Sequence, residues 1–220
     1  MAQAAPVPTT IKDPELVAQR RAEIVDVATR LFLERGFHKT SIRDIVRACP
    51  FNVASLYMYV SSKEDILFLV AQHLMTAKAK TLSEIRLDDT DPVAAFRLAF
   101  RRYCEIIDRF RPHVKLLYRE LDVLPPPRQQ VVLESISAVT DVFEKIIARG
   151  MGSGAFRAVE PRLVAFSALS LAHMWSLNGW ALKRFVTIDR FIEAQTDFLL
   201  RGLVDDARGA ARPERLAASG

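Results

Sequence analysis

Arg43, Ser55, Tyr57, Tyr59 and Lys63 bring a guanidinium, hydroxyl groups and an ammonium into one stretch of the chain, with the small residues Val53 and Ala54 among them. Each polar group can donate a hydrogen bond to a phosphate oxygen or a base edge, and small neighbours permit close approach to a groove. The chemistry this set suggests is recognition of DNA. Enzyme chemistry lacks its parts. The histidines His38, His73, His113 and His173 share no metal or triad spacing, and there is no Gly-rich phosphate loop. Cys49 and Cys104 stand in unrelated contexts, so neither a metal site nor a disulfide framework is expected, which suits a reducing cytoplasm. No cofactor is implied.

Charge adds little to this reading. The net charge of +5 suits an anionic partner, but residues 1–70 hold nine Lys and Arg against eight Asp and Glu. DNA contact must therefore come from where the charges sit rather than from their excess.

The elements that must position these groups are helices. Glycine is scarce, no segment pairs strict alternation with hairpin signals, and helical spacing recurs from Glu15 to near Val204. The fold class is all-α, with about nine helices. The first runs from Glu15 to Arg35, with Ile24, Ala28, Leu31 and Phe32 on one face and Gly36 as its stop. Ser41 and Asp44 make a capping-box-like start for the second, with Thr40 as an alternative cap. After the turn Cys49-Pro50-Phe51, Asn52 caps a third helix from Val53 to about Tyr59.

Ser62 to Asp65 opens a long fourth helix whose inner face reads Ile66, Leu69, Val70, His73, Leu74 and Ala77. Pro92 and Pro112 start the fifth and sixth, and Pro125 to Pro127 stop the chain hard near Leu124. A seventh helix reaches Arg149, Pro161 opens an eighth, and Thr187 caps a ninth bearing Ile188, Phe191, Phe198 and Leu199. The expected division is a disordered arm over 1–13, a reading unit over 14–62, a larger helical domain over 63–206 and a flexible tail over 207–220.

The stretch from Leu163 to Leu182 carries no Asp, Glu, Lys or Arg and is long enough to span a bilayer. Ser167, Ser170, His173, Ser176 and Asn178 interrupt it, and its neighbours are amphipathic, so a covered helix of a soluble protein with no membrane is the expectation. Met1 to Asp13 has neither a basic start nor an apolar run, unlike a signal peptide.

The pattern Arg35-Gly36-Phe37, then Thr40 to Ile45, then Leu56-Tyr57-Met58-Tyr59, then Ser62 to Asp65 resembles the amino-terminal helix-turn-helix of the TetR family of bacterial transcriptional regulators. The match covers about residues 20–70. The resemblance implies a homodimer that binds double-stranded DNA, with Arg43, Ser55, Tyr57 and Lys63 at typical contact positions. Val53, Ala54, Tyr59 and Thr40 complete the candidate DNA-binding set. The usual small-Gly-Val turn is replaced by Cys49-Pro50-Phe51, and proline cannot copy a left-handed glycine.

The resemblance further implies a ligand-binding and dimerisation domain, with the eighth and ninth helices forming a four-helix bundle with a twofold mate. Arg101, Tyr118, Arg119, Phe166, Ser170, His173, Met174, Trp175 and Asn178 are the candidate ligand contacts, polar or aromatic groups set amid apolar stripes. The Leu117 to Glu120 region, its proline run and the Trp180 region resemble regulators of acyl-CoA catabolism, which implies a small amphipathic effector such as an acyl-CoA thioester. A repressor released by that effector is the function implied. The alternatives are a helical DNA-binding or interaction protein without a ligand, an enzyme acting on a bound acyl-CoA, and a redox switch through Cys49 in the turn.

Overall fold

Local caps set most helix starts. Asp13 Oδ1 accepts the backbone N–H groups of Glu15 and Leu16, and Pro14 lacks a donor to leave unpaired, so α1 spans Pro14–Arg35. It ends at Gly36, whose φ of 87° strains any residue with a Cβ. A reciprocal box between Ser41 and Asp44 opens α2 (Ile42–Arg47), Asn52 Oδ1 accepts Ser55 N–H at 2.9 Å to open α3 (Val53–Tyr57), and a second box between Ser62 and Asp65 opens α4 (Lys63–Ser83). Then follow α5 (Pro92–Arg109), α6 (Arg111–Glu120), a 3₁₀ turn over Leu121–Val123, α7 (Pro126–Gly152), α8 (Pro161–Leu177), α9 (Gly179–Leu182) and α10 (Ile188–Leu203). The computed structural model describes residues 6–85 and 91–204, and among these there are ten α-helices and no strand.

The fold is all-α as expected, with three departures that have physical causes. Asn178 ends α8, and its carbonyl accepts from Ala181 and Leu182, so the charge-free run splits and α9 adds a helix to the count. Pro125 to Pro127 do not stop the chain for long. They occupy the cap and first positions of α7, where a missing N–H costs nothing. The expected disordered arm is ordered over residues 6–13. Val7 is buried, Arg21 Nη2 donates to the carbonyls of Val7 and Pro8, and Thr10 N–H donates to Met58 O. The rest of the arm, and the tail over 207–220, lie outside the described residues.

The core is one continuous apolar body. In it α1 packs along α4 and α6, while α5, α7 and α8 pack on one another with α10 against α5. The α4 helix belongs to both ends of the molecule. Its inner face is not quite the one the sequence predicted: His73 is exposed and Ala77 half-buried, whereas Leu74, Lys78 and Leu82 are buried at a spacing of four. Between α7 and the loop that follows, Gly150 is required by contact, since a Cβ there would lie 2.1 Å from the Phe156 ring. No helix among the described residues is long and apolar enough to cross a membrane.

Candidate DNA-reading unit and effector cavity

The first turns of α3 face outward. Val53 and Ala54 are exposed, Tyr57 is 50% exposed, and Arg43 projects from α2 into solvent. Leu56, Phe37 and Ile45 are buried beneath them, where α2 packs on α1 and α3 on α2. The turn between the two helices is made without a left-handed residue: among the described residues only Gly36 and Gly154 have positive φ. Proline at position 50 is thus accommodated by a different turn from the glycine-containing one the resemblance implied.

Three of the expected DNA contacts are placed otherwise. Thr40 is 1% exposed, and its hydroxyl donates to Gly36 O at 2.8 Å, closing the bend after α1. Tyr59 is buried, with its ring 6.5 Å from that of Phe51, and its carbonyl accepts from Arg21. Both side chains are turned inward, Thr40 in the loop before α2 and Tyr59 in the turn after α3. The Lys63 ammonium donates to the carbonyls of Phe37 at 2.7 Å and Thr40 at 2.9 Å and lies over the Phe37 ring. It ties the start of α4 to the loop before α2, and its half-buried position leaves only part of it for a phosphate. Ser55 is half-buried, and its N–H is engaged by the Asn52 cap.

Farther along α4 lies a cavity of about 300 Å³. Leu74, Met75 and Lys78 of α4, Val114, Leu117, Tyr118 and Arg119 of α6, and Val132, Ser135 and Ile136 of α7 line it, with His173 of α8 at its base. Met75, Lys78 and Ser135 also line a second space between α4 and α7. His173 stands between two phenols, with Tyr103 Oη 2.8 Å from Nε2 and Tyr118 Oη 2.8 Å from Nδ1. Burial pushes the His173 pKa down to about 4, with the Lys78 charge adding to the effect, so the ring is neutral near pH 7. Burial likewise lowers the Lys78 pKa to about 8. The arrangement can hold an apolar body and offer it a few donors.

Cavity and reading unit are joined by a buried ion pair. Arg128 Nη2, in the first turns of α7, lies 2.6 Å from Asp65 Oδ1. The other oxygen of Asp65 accepts the N–H groups of Ser61 and Ser62, just before Lys63.

Comparison with known proteins places this architecture. The family described as "Bacterial regulatory proteins, tetR family" matches residues 24–70, and that described as "Tetracyclin repressor-like, C-terminal domain" matches residues 89–203. The chain belongs to the TetR family. Its members are DNA-binding transcriptional regulators rather than enzymes, and so is this protein. The HTH-type transcriptional regulator HbdR of Aromatoleum sp. (strain CIB) is 30% identical over 195 residues, which cover 89% of this chain and 83% of the relative. Among solved structures, a tetR-family regulatory protein from Rhodococcus RHA1 is 18% identical and aligns with a TM-score of 0.78 over 84% of this chain and 97% of its own. AibR in complex with isovaleryl coenzyme A and operator DNA is 23% identical, with a TM-score of 0.72 over 82% and 98%. At such identities these two likenesses are of fold.

Within this TetR-family chain, the nine ligand contacts expected from sequence do not come together. Tyr118, Arg119 and His173 line the cavity. The other six are elsewhere, because helix phase and not residue type decides which side they face. Phe166 and Ser170 point out from α8, with Phe166 55% exposed. Trp175 is buried, but its indole N–H donates to Asp108 of α5 at 2.7 Å and its ring packs on Phe191 of α10. Arg101 pairs with Asp189 at 3.2 Å on the outer surface. Asn178 is an exposed helix end, and Met174, half-buried, is not in the cavity lining. Lys78, Met75 and Ser135 are among the cavity residues that sequence reasoning missed. The signal for Lys78 was present: a lysine at the apolar spacing of Leu74 and Leu82.

Proposed function

We propose that this regulator is a cytoplasmic repressor that binds a palindromic operator as a homodimer and is released by a small amphipathic effector, an acyl-CoA thioester being the class that fits best. The observation that carries this reading is the single helix α4, with the reading unit at its first residue and the cavity at Met75 and Lys78. From Lys63 to Lys78 the helix rise amounts to about 22 Å. Arg43, Val53, Ala54 and Tyr57 are the side chains best placed for DNA, with Ser55 and Lys63 supplying backbone contacts where they remain accessible. AibR, a structural neighbour, was solved with an acyl-CoA and operator DNA together, which supports the effector class.

Dimerisation through α8 and α10 has its own support. Leu163 and Phe166 of α8 and Phe198 of α10 are large apolar side chains more than half exposed on the outer faces of these helices. Such a patch favours cover by a second subunit. In the dimer, two copies of α3 enter successive major-groove faces roughly 34–36 Å apart. An effector that prefers a cavity shape incompatible with that spacing shifts the population away from the DNA-bound form, by no more than its preference between the two.

The test is release. A duplex enriched from a random pool by the purified protein is labelled, and its affinity is followed by fluorescence anisotropy with acyl-CoA thioesters of graded chain length. The expected result is a loss of about tenfold or more in affinity with at least one thioester, the usual size of an allosteric coupling. Undiminished affinity with all of them would remove the effector half of the reading. Tighter binding with a thioester would replace release by co-repression.

A further inference from the structure

Lys78 is 4% exposed, lines the cavity, and has no hydrogen bond or ion pair among the described residues. The carboxylates in the linings, Asp122 of the 3₁₀ turn and Glu134 of α7, form no ion pair with it. An ammonium so largely withdrawn from water, with no protein acceptor, is costly, and natural proteins rarely retain one without use. An oxygen-bearing ligand in the cavity would relieve that cost.

The hydroxyl of Tyr118 points to the same ligand chemistry by proton counting. Tyr103 is fully buried, and His173 Nε2 is its only acceptor among the described residues, so its O–H must donate there. Neutral imidazole has one N–H, which then sits on Nδ1 and donates to Tyr118 Oη. The proton of Tyr118 itself is left over, on a side chain that lines the cavity. Lys78 thus offers donors only and Tyr118 a spare donor, Arg119, Asp122 and Ser135 complete the polar lining, and Leu74, Val114, Leu117 and Ile136 offer apolar surface. A ligand cation would be repelled by Lys78.

We propose that Lys78 and Tyr118 form the polar end of the cavity and bind the acyl oxygen of the effector, with its apolar chain laid along Leu74, Val114, Leu117 and Ile136. This rests on the effector cavity proposed above and adds the atom it recognises. A free carboxylate and a thioester carbonyl share that oxygen.

The test uses the full chain and three probes: hexanoate, hexanoyl-CoA, and S-hexyl-CoA, a thioether without the carbonyl oxygen. Affinities are measured by calorimetry for the wild type, Lys78→Met, Tyr118→Phe and Leu117→Trp. The wild type should prefer an acyl probe over the thioether, and Lys78→Met should weaken that probe about tenfold while leaving the thioether within about twofold. Tyr118→Phe should have a smaller effect in the same direction. Binding of hexanoate marks a free acid as the source, and binding of hexanoyl-CoA alone marks a thioester. Lys78→Met should also raise the melting temperature of the unliganded protein, since it removes an unpaired buried charge.

Equal affinity of the wild type for acyl and thioether probes, or unchanged acyl binding in Lys78→Met, would overturn the proposal. Failure of the underlying reading looks different. Leu117→Trp fills the cavity, and if it leaves every probe's affinity intact the probes bind elsewhere.

Discussion

At the level of single residues, the two cations Lys63 and Arg43 separate stability from recognition. The Lys63 ammonium satisfies two carbonyls in the loop before α2, whereas Arg43 stands in solvent on α2. Replacing Lys63 by methionine removes its hydrogen bonds to the Phe37 and Thr40 carbonyls, the first of which keeps the Thr40 N–H, and removes the contact with the Phe37 ring. The expected cost is about 1–3 kcal/mol in urea unfolding, with weaker DNA binding following from the loosened unit. Arg43→Ala should leave unfolding within about 0.5 kcal/mol of the wild type yet weaken operator binding by about 1–3 kcal/mol. Equal effects of the two substitutions on stability would contradict this division.

Which residues could be read from sequence follows from the same distinction. Arg43 lies on α2 and Val53 and Tyr57 on α3, short helices whose caps, the Ser41–Asp44 box and Asn52, are local, so their outward placement was legible. Thr40 and Tyr59 were not: the Thr40 hydroxyl folds back on the carbonyls that end α1, at Leu31 and Gly36, and the Tyr59 carbonyl is held by Arg21, 38 residues away.

Among elements, α4 links the reading unit to the cavity, and the Asp65–Arg128 pair clamps its beginning to α7. The carboxylate also caps Ser61 and Ser62, and Arg128 lies over the Phe68 ring. Both partners are largely buried, so removing one leaves an unpaired charge in a poorly solvated place. Arg128→Ala is expected to destabilise the protein by about 3–5 kcal/mol, and Asp65→Ala by more, since the second change also loses a helix cap. Thermal unfolding of the two variants checks the order, and a mild effect of both would show the clamp to be an exposed pair of little worth.

Helix starts were legible because caps and prolines act within a few residues of where they stand. The faces of long helices were less so. A shift of one position on α4 exchanged Ala77 for Lys78 and hid the cavity's cation. The charge-free run that suggested one eighth helix proved to be α8 and α9, parted at Asn178, with Phe166 and Ser170 turned outward. Composition alone marks such a helix as apolar without saying against what its two sides pack.

For the whole molecule, the reading unit is short and nearly neutral in charge, so one copy holds little DNA surface. In the proposed dimer, specific binding is a property of the pair, two α3 helices at a spacing that the α8 and α10 faces would set. The measurement that tests this most directly is selection of random duplexes by the purified protein, followed by sequencing of those retained. The expected result is enrichment of a near-palindrome with half-sites about one helical turn, 10–10.5 base pairs, apart. Retention without sequence enrichment, abolished by modest salt, would contradict it and leave a protein that holds DNA by its phosphates alone.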